Sequence, residues 1–283
     1  MVSTIGILGS GTMGTGIAQV AALADFNVLI YDVSADALQR GIERIRDDFA
    51  RGVEKGRITQ QQSDQALAAL HVHSTLNPLG RSDFIIEAAV EDLAVKRELF
   101  KRLDDILPAT AIMASNTSAL SITSIAVATR RPALVVGMHF FNPPTLMRLV
   151  EVVRGAQTSD ECVNATRDLA GKLGKVPVVC RDTPGFIVNR VARPFYGEAL
   201  RLLGEGVASV EEIDRIIRLS GGFRMGPFEL MDLIGIDVNY AVTKSVYEQF
   251  FHEPRFRPHP IQRQMVEAGT LGRKTKRGFY PYK

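Results

Sequence analysis

The sequence has few features that would support metal, disulfide or membrane chemistry. Cys162 and Cys180 are its only cysteines, and neither belongs to a CxxC pair or to another metal-ligand spacing. We therefore expect two reduced thiols in an intracellular protein, and no metal site. No run of 18 apolar residues occurs, and only four residues precede the first predicted strand. We expect neither a membrane segment nor a cleaved leader, and we assign the protein to the cytoplasm.

An excess of one charge is also missing. The 34 Lys and Arg residues nearly balance the 31 Asp and Glu residues, and the formal net charge is +3. A charge this small and dispersed does not predict binding to nucleic acid. Basic residues are concentrated only at 40–57 and 273–277, where a small anionic ligand can be accommodated. The length of 283 residues allows one or two domains with a sizeable core.

The first 180 residues alternate short β-branched runs with helical patterns. Buried strands are predicted at 5–8, 27–31, 84–86, 111–113, 134–138 and 176–179. This alternation predicts an α/β fold with a Rossmann-type, mostly parallel sheet. The long gap between the second and third strands predicts a helical hairpin at about 35–72 that projects from the sheet. Its second helix begins at Thr59, with Gln62 completing a capping box.

The pattern changes at Asp182-Thr183-Pro184-Gly185, after which only helical periodicity follows. The predicted helices are 186–203, 209–219, 227–250 with a break at Gly235, and 260–269. We therefore predict two domains: residues 1–183 form the sheet domain with its hairpin insertion, and residues 184–283 form a smaller all-α domain.

A glycine-rich loop follows the first strand and opens an apolar helix. Gly9-Ser10-Gly11-Thr12-Met13-Gly14 satisfies the pattern G-x-G-x-x-G. In this context Gly9 permits a tight turn, Gly11 lets backbone N–H groups approach a pyrophosphate, and Gly14 allows close packing of helix on strand. We predict that Gly9, Gly11, Thr12, Met13 and Gly14 bind a dinucleotide.

Asp32 ends the second strand, 18 residues after Gly14. A carboxylate at this place is suited to the adenosine ribose hydroxyls and repels a 2′-phosphate. The next three residues, Val33-Ser34-Ala35, include no arginine that would compensate. The predicted cofactor is therefore NAD.

His139 and Glu151 suggest the chemistry. Glu151 lies within the apolar run Leu149-Val150-Glu151-Val152-Val153, where an unpaired buried carboxylate would be costly. A nearby imidazole is a suitable partner, because the carboxylate would orient the ring and hold it in one tautomer. This is the arrangement of a general base with its orienting acid. The alternative is a histidine at a strand end and a glutamate paired with a structural arginine.

Several further motifs are present along the chain: Ala114-Ser115-Asn116-Thr117-Ser118, His139-Phe140-Phe141-Asn142-Pro143, Asp182-Thr183-Pro184-Gly185-Phe186-Ile187-Val188-Asn189-Arg190, Met225-Gly226-Pro227-Phe228 and Gly278-Phe279-Tyr280. With these motifs and the features above, the chain resembles the 3-hydroxyacyl-CoA dehydrogenase family over essentially its whole length. It is most similar to the bacterial 3-hydroxybutyryl-CoA dehydrogenases and the 3-hydroxyadipyl-CoA dehydrogenases of phenylacetate breakdown.

The resemblance implies reversible, NAD-dependent oxidation of an (S)-3-hydroxyacyl-CoA to the 3-ketoacyl-CoA. By this resemblance His139 is the catalytic base and Glu151 is its partner. Ser118 and Asn189 match the family's catalytic and substrate-contacting polar residues, and Asn142 matches a further substrate-site amide. The remaining positions that match cofactor contacts are Glu91, Lys96, Asn116 and Lys274.

The resemblance also implies a role for the hairpin and for the second domain. In the family the hairpin helps to hold the CoA nucleotide, so Arg51 and Lys55, with Arg57 as a further possibility, are implied to face its phosphates. The helical domain is implied to contribute to the substrate site and to homodimer formation.

Simpler interpretations accompany several of these assignments. Ser118 is suited to capping a helix at 120–122, and Asn142 to a turn before proline. Glu91 and Lys96 are suited to a surface ion pair. Asn189 is suited to an exposed helix position.

Two departures from the family pattern affect the prediction. Lys276 stands where the C-terminal signature usually has glycine, so a turn with positive φ would be strained there and would disturb the contact from Lys274. Pro143-Pro144-Thr145-Leu146 differs from the usual Pro-x-Pro-Val near the acyl pocket, which affects the chain-length preference.

Among substrates we favour four-carbon 3-hydroxybutyryl-CoA. The alternative is 3-hydroxyadipyl-CoA, for whose distal carboxylate Arg148 and Arg193 are the available partners. Two other functions are considered: a dehydrogenase of a non-CoA hydroxy acid, as in the gulonate branch, and a non-catalytic relative of the lens-crystallin type.

Overall fold

In a computed structural model that describes residues 2–283, the chain divides into two compact units. The first unit ends at Thr183, and the second spans Pro184–Lys283. No helix within residues 2–283 is both long enough and apolar enough to cross a membrane.

The first unit is built on one eight-stranded sheet. Its strands are β1 (Thr4–Leu8), β2 (Asn27–Tyr31), β3 (Leu70–His73), β4 (Phe84–Glu87), β5 (Ile112–Ser115), β6 (Val135–Phe140), β7 (Leu149–Arg154) and β8 (Val176–Arg181). The spatial order is β3-β2-β1-β4-β5-β6-β7-β8. The first six strands are parallel, whereas β7 runs antiparallel to β6 and β8 is parallel to β7. The prediction of a mostly parallel α/β sheet is therefore confirmed.

Six helices cover this sheet. They are α1 (Thr12–Leu23), α2 (Ala35–Glu54), α3 (Gln60–Ala68), α4 (Leu93–Ile106), α5 (Ile122–Ala126) and α6 (Asp160–Lys172). The central strands β4, β5 and β6 are buried along their whole length, as expected when helices cover both faces of a parallel sheet. Short 3₁₀ turns occur at Asn77–Arg81 and Pro132–Leu134.

The hairpin differs from its prediction in two respects. It does not simply project from the sheet, because Ile45 and Phe49 of α2 are buried in the same core cluster as Ile17 of α1. It also ends earlier than predicted, since residues 70–73 form the edge strand β3 rather than helix. This strand is not predicted from the sequence, because its four residues include two histidines and lack a continuous apolar run. The capping box of Thr59 and Gln62 at the start of α3 is confirmed.

The second unit is helical, as predicted. Its helices are α7 (Val188–Gly204), α8 (Val210–Gly221), α9 (Pro227–Ile234), α10 (Ile236–Gln249) and α11 (Pro260–Glu267), with 3₁₀ turns at Pro254–Phe256 and Arg273–Thr275. Leu200, Phe228, Met231 and Ile236 form the centre of its core. Gly235, with φ of +101°, separates α9 from α10 and so accounts for the predicted break.

Two buried aspartates hold the C-terminal segment against these helices. Asp214 accepts hydrogen bonds from two backbone N–H groups at the start of α9 and from the Tyr280 hydroxyl. Asp232 accepts from the backbone N–H groups of Phe279 and Tyr280 and from the Tyr282 hydroxyl. The C-terminal Gly-Phe-Tyr motif is therefore part of the packing of the second unit.

Candidate functional site

The glycine loop joins β1 to α1 at the carboxyl edge of the sheet. Gly9 has φ of +98°, and a Cβ there would come within 2.5 Å of the Ala88 carbonyl oxygen. A Cβ on Gly14 would lie 1.9 Å from the Gly9 carbonyl oxygen. A Cβ on Gly11 would meet no described atom within 4 Å. Packing therefore requires glycine at Gly9 and Gly14, whereas Gly11 leaves open space above the loop.

The start of α1 faces this open space. Gly11 is the N-cap residue, so the cap position itself supplies no side-chain acceptor for the first N–H groups of the helix. The N–H groups of the first turn, which include those of Thr12 and Met13, have no partner within the helix. Such a helix N-terminus attracts an anionic group. Loop and helix therefore fit the pyrophosphate of NAD.

Asp32 follows β2 and is held from the glycine loop. Its Oδ2 accepts hydrogen bonds of 2.8 Å from both the backbone N–H and the hydroxyl of Ser10, and its Oδ1 accepts from the Ser34 N–H at 3.1 Å. Partial burial raises the pKa of Asp32, but these hydrogen bonds outweigh burial, and the pKa lies below its ordinary value. The carboxylate is therefore charged and fixed in orientation, as a ribose-binding group requires.

A pocket of about 410 Å³ lies beside this carboxylate. It is lined by the loop residues 9–11, Asp32, residues 88–90 after β4, and Ala37, Arg40 and Arg44 of α2. The local sequence after Asp32 does not predict these two arginines at the pocket, because residues 33–35 include no basic side chain.

His139 and Glu151 lie directly opposite each other on the antiparallel strands β6 and β7. The His139 Nδ1 atom is 2.8 Å from the Glu151 Oε2 atom, and the two residues are 6% and 1% exposed. When Nδ1–H donates to the carboxylate, the basic lone pair of the ring is on Nε2. The structure therefore pairs His139 with Glu151.

The segment after β5 is tied to the end of β6. The Asn116 side-chain oxygen accepts a hydrogen bond of 2.8 Å from the Phe140 backbone N–H, and Phe140 follows His139. The Phe141 ring lies 4.5 Å from the His139 imidazole, measured between centroids. Asn116 therefore fixes the backbone beside the histidine.

Lys96, 1% exposed on α4, is not the surface residue of the simpler interpretation. Its Nζ atom lies 2.6 Å from Glu87 Oε1 and 3.4 Å from Glu91 Oε2. Glu87 ends β4, is fully buried, and also accepts hydrogen bonds from the Ser115 hydroxyl and the Ala89 N–H. Glu87 is not among the residues that the sequence predicts for the site. A glutamate that ends the apolar run of β4 was the available signal, and it is the same signal that singled out Glu151.

Glu91 continues this network to the segment after β5. It accepts a hydrogen bond of 2.6 Å from the Thr117 hydroxyl, one of 3.0 Å from the Ser118 N–H and a longer one of 3.4 Å from the Ser118 hydroxyl. Ser118 is not a helix cap, since Ser121 caps α5 by accepting from the Ser124 N–H. The structure therefore brings Glu91, Lys96 and Ser118 together.

Three predicted substrate contacts lie on exposed parts of the first unit. Asn142 is exposed in the segment that follows β6. Arg51 of α2 forms an ion pair with Asp48, which raises the pKa of the Arg51 guanidinium, whereas Lys55 is exposed at the end of that helix.

The second unit carries the other predicted contacts. Asn189 is half-buried in the first turn of α7. The Lys274 ammonium pairs with Asp237 at 2.6 Å. Lys276 adopts φ of +58°, so this turn does require the left-handed conformation expected at that position.

Fold and site together define a dinucleotide-dependent dehydrogenase. Family models match both units: the NAD-binding domain of 3-hydroxyacyl-CoA dehydrogenase matches residues 4–183, and the C-terminal domain of the same family matches residues 185–282. The chain belongs to the 3-hydroxyacyl-CoA dehydrogenase family, and NAD is its cofactor.

Individual relatives agree with this membership. A 3-hydroxyadipyl-CoA dehydrogenase from Escherichia coli K12 is 47% identical over 282 residues, which are 100% of this chain and 59% of that protein. This chain therefore spans about three fifths of that relative. A 3-hydroxybutyryl-CoA dehydrogenase from Bradyrhizobium diazoefficiens is 44% identical over 283 residues, 100% of this chain and 96% of the relative. The solved (S)-3-hydroxybutyryl-CoA dehydrogenase from Ralstonia eutropha matches with a TM-score of 0.96 at 42% identity, covering 100% of both chains.

Proposed function

We propose that this protein oxidises a short-chain (S)-3-hydroxyacyl-CoA, with 3-hydroxybutyryl-CoA as the preferred substrate, to the 3-ketoacyl-CoA, and that the reaction is reversible. The observation that carries the proposal is the buried hydrogen bond of 2.8 Å between His139 Nδ1 and Glu151 Oε2. Family membership supplies the class of reaction, and the names of the relatives support the substrate.

In this mechanism His139 accepts the proton of the 3-hydroxyl group on Nε2, because Nδ1–H is engaged with Glu151. Positive charge that develops on the imidazole is stabilised by the adjacent carboxylate, which touches no substrate. General-base catalysis of this kind contributes about 10²–10⁴-fold to the rate. Bound NAD supplies the hydride acceptor. In the reverse direction the protonated His139 donates to the ketone oxygen.

The remaining polar residues orient the reactants. Ser118, Asn142 and Asn189 are neutral hydrogen-bonding groups, suited to holding the 3-oxygen and the thioester carbonyl without competing for the proton. Glu91, Lys96 and Asn116 are assigned to the nicotinamide side of NAD, and Lys274 to a further contact with the cofactor. The glycine loop is assigned to the pyrophosphate and Asp32 to the adenosine ribose. The network from Glu87 through Lys96 to Glu91 supports this assignment, because it fixes the segment that bears Ser118.

For the CoA nucleotide we assign Lys55 and Arg51 of the hairpin. Lys55 is exposed, whereas part of the Arg51 charge is offset by Asp48. Removing the Lys55 charge should therefore raise KM for CoA esters more than removing that of Arg51, and should leave NAD affinity unchanged. Weaker NAD binding in the Lys55→Met variant would contradict the assignment.

A second candidate substrate, 3-hydroxyadipyl-CoA, is favoured by Arg193. This arginine is 4% exposed, and burial lowers its pKa to about 10. Its Nη1 atom donates to the Asn239 carbonyl oxygen and to the Thr243 hydroxyl, and no carboxylate within residues 2–283 forms an ion pair with it. The adjacent Asn239 Nδ2 atom is buried without a described partner. A buried cation of this kind is complementary to a distal carboxylate. Arg148, by contrast, is exposed.

The proposed function is tested by measuring NADH formation with (S)-3-hydroxybutyryl-CoA, (S)-3-hydroxyadipyl-CoA, longer (S)-3-hydroxyacyl-CoA esters and free (S)-3-hydroxybutyrate. Turnover of the CoA esters alone supports the proposal. Equal turnover of the free acid would favour the non-CoA alternative, and NAD binding without turnover of any substrate would favour the non-catalytic one.

An Arg193→Met variant should lose kcat/KM for the adipyl ester at least about tenfold more than for the butyryl ester, with Arg148→Met as the control. Equal losses of kcat/KM for the two esters would show that Arg193 has a structural role and does not bind the distal carboxylate.

We also propose a homodimer formed by the helical domain. Large apolar side chains on that unit are exposed, including Phe251 at 93%, Leu219 at 78% and Val191 at 69%. A partner subunit would remove apolar side chains of this size from water. Sedimentation equilibrium should give twice the chain mass of 31.0 kDa, and a monomer at micromolar concentration would contradict this proposal.

A further inference from the structure

Arg40 and Arg44 line the pocket that also contains Asp32. They stand one turn apart on α2, and both are exposed. Neither forms an ion pair with any carboxylate of residues 2–283, whereas Arg51 on the same helix is paired with Asp48. Two guanidinium groups therefore face the adenosine side of the cofactor site without a carboxylate to neutralise them.

Asp32 forms no ion pair with either arginine. Its two oxygens are directed at Ser10 and Ser34, which hold the carboxylate through three hydrogen bonds. The pocket thus contains one fixed negative charge and two positive charges on flexible side chains. The Asp32 carboxylate is enough to bind the ribose 2′-hydroxyl of NAD. The two arginines therefore have no function in binding that hydroxyl.

A 2′-phosphate is the group that would use both arginines. Guanidinium groups bind phosphate oxygens through paired, charge-assisted hydrogen bonds. Asp32 repels such a phosphate, but one repelling charge is set against two attracting ones at a partly solvated site. Residues 33–35 include no arginine, and this predicts that NADP is excluded. Arg40 and Arg44, which lie one and two turns further along α2, supply the positive charge instead.

We propose that the adenosine pocket accepts the 2′-phosphorylated cofactor NADP as well as NAD, with Arg40 and Arg44 binding the 2′-phosphate. Asp32 then weakens binding of NADP without excluding it. This inference does not depend on which hydroxyacyl substrate the protein oxidises, and it concerns nucleotide binding that can be measured without any acyl-CoA.

The test is calorimetric titration of the intact protein with 5′-AMP, 2′,5′-ADP and 3′,5′-ADP. The second nucleotide carries the phosphate of NADP, and the third carries that of CoA. The native protein should bind 2′,5′-ADP no more than about tenfold more weakly than 5′-AMP. Charge removal in the variant R40Q/R44Q should lower affinity for 2′,5′-ADP about tenfold or more while changing 5′-AMP binding less than about threefold. Asp32→Asn should raise affinity for 2′,5′-ADP.

Arg46→Gln is the matched control, because Arg46 is exposed on the same helix but does not line the pocket. It should leave all three affinities unchanged, and circular dichroism should show that every variant is folded. The proposal is overturned if 2′,5′-ADP binds more than tenfold more weakly than 5′-AMP, or if R40Q/R44Q leaves its affinity unchanged. It is also overturned if the arginines mainly affect 3′,5′-ADP, since they would then serve the CoA nucleotide.

Discussion

The Lys96 ammonium is buried 2.6 Å from the Glu87 carboxylate, at the end of the central strand β4. The Lys96 side chain is 1% exposed and the Glu87 side chain 0%, so both charges are shielded from water. The pair connects the sheet to Glu91, and through Glu91 to Ser118. The nicotinamide-side residues thus depend on a buried glutamate that contacts neither cofactor nor substrate in the proposed mechanism.

Replacing Glu87 should therefore be costly. Glu87→Gln leaves the Lys96 charge buried without its closest counter-ion, and the free energy of unfolding should fall by about 3 kcal/mol. The double variant E87Q/K96M removes both charges and should recover part of this loss. Urea denaturation measures both effects. A single variant within 1 kcal/mol of the native protein would show that the pair is not structurally important.

Glu151 should act on the rate rather than on binding. Glu151→Gln keeps the shape of the side chain but removes the charge that, in the proposed mechanism, stabilises the imidazolium. We expect kcat to fall about 100-fold, while NAD affinity and KM for the acyl-CoA change less than about threefold. Steady-state kinetics and calorimetry separate these quantities. A selective rise in KM would instead indicate that Glu151 contacts the substrate.

Acid stability should depend on Asp104, which is 4% exposed and accepts hydrogen bonds from Arg130 and Arg131. Burial raises its pKa, but the hydrogen bonds from the two arginines outweigh burial and bring the pKa below the ordinary value of 3.8. The stabilisation is thus fully present above pH 3.8 and is lost as the pH falls through the lower folded-state pKa.

Asp104→Asn should accordingly lower the free energy of unfolding by about 2 kcal/mol at pH 7. The difference from the native protein should shrink progressively below pH 3.8. Denaturant titrations at several pH values measure this difference. If the difference in free energy of unfolding does not depend on pH, the loss of stability comes from packing and not from the charge of Asp104.

Much of the fold and site follows from local sequence. Residue types within short segments predict the glycine loop, Asp32 and the pairing of His139 with Glu151. This is possible because strand periodicity and a polar residue in an apolar run are local signals. Strand β3 was missed because edge strands need little apolar sequence. Arg40 and Arg44 were missed because their place at the pocket depends on how α2 packs against α1, which no local pattern encodes.

The backbone strain at Lys276 should affect the stability of the protein and not its activity. Its φ of +58° is unfavourable for a residue with a Cβ, so Lys276→Gly should raise the free energy of unfolding by up to about 1 kcal/mol. Lys276→Ala keeps the Cβ and should give no gain. Thermal or urea unfolding compares the two variants, and equal stability of the glycine and alanine variants would refute the strain.

The central claim is that His139 is the base that removes the hydroxyl proton. It is tested most directly by measuring kcat for NADH formation from (S)-3-hydroxybutyryl-CoA by the His139→Gln variant, with NAD affinity determined on the same sample. We expect a loss of at least about 100-fold in kcat with unchanged NAD affinity. A variant that retains kcat within a few-fold of the native value would contradict it.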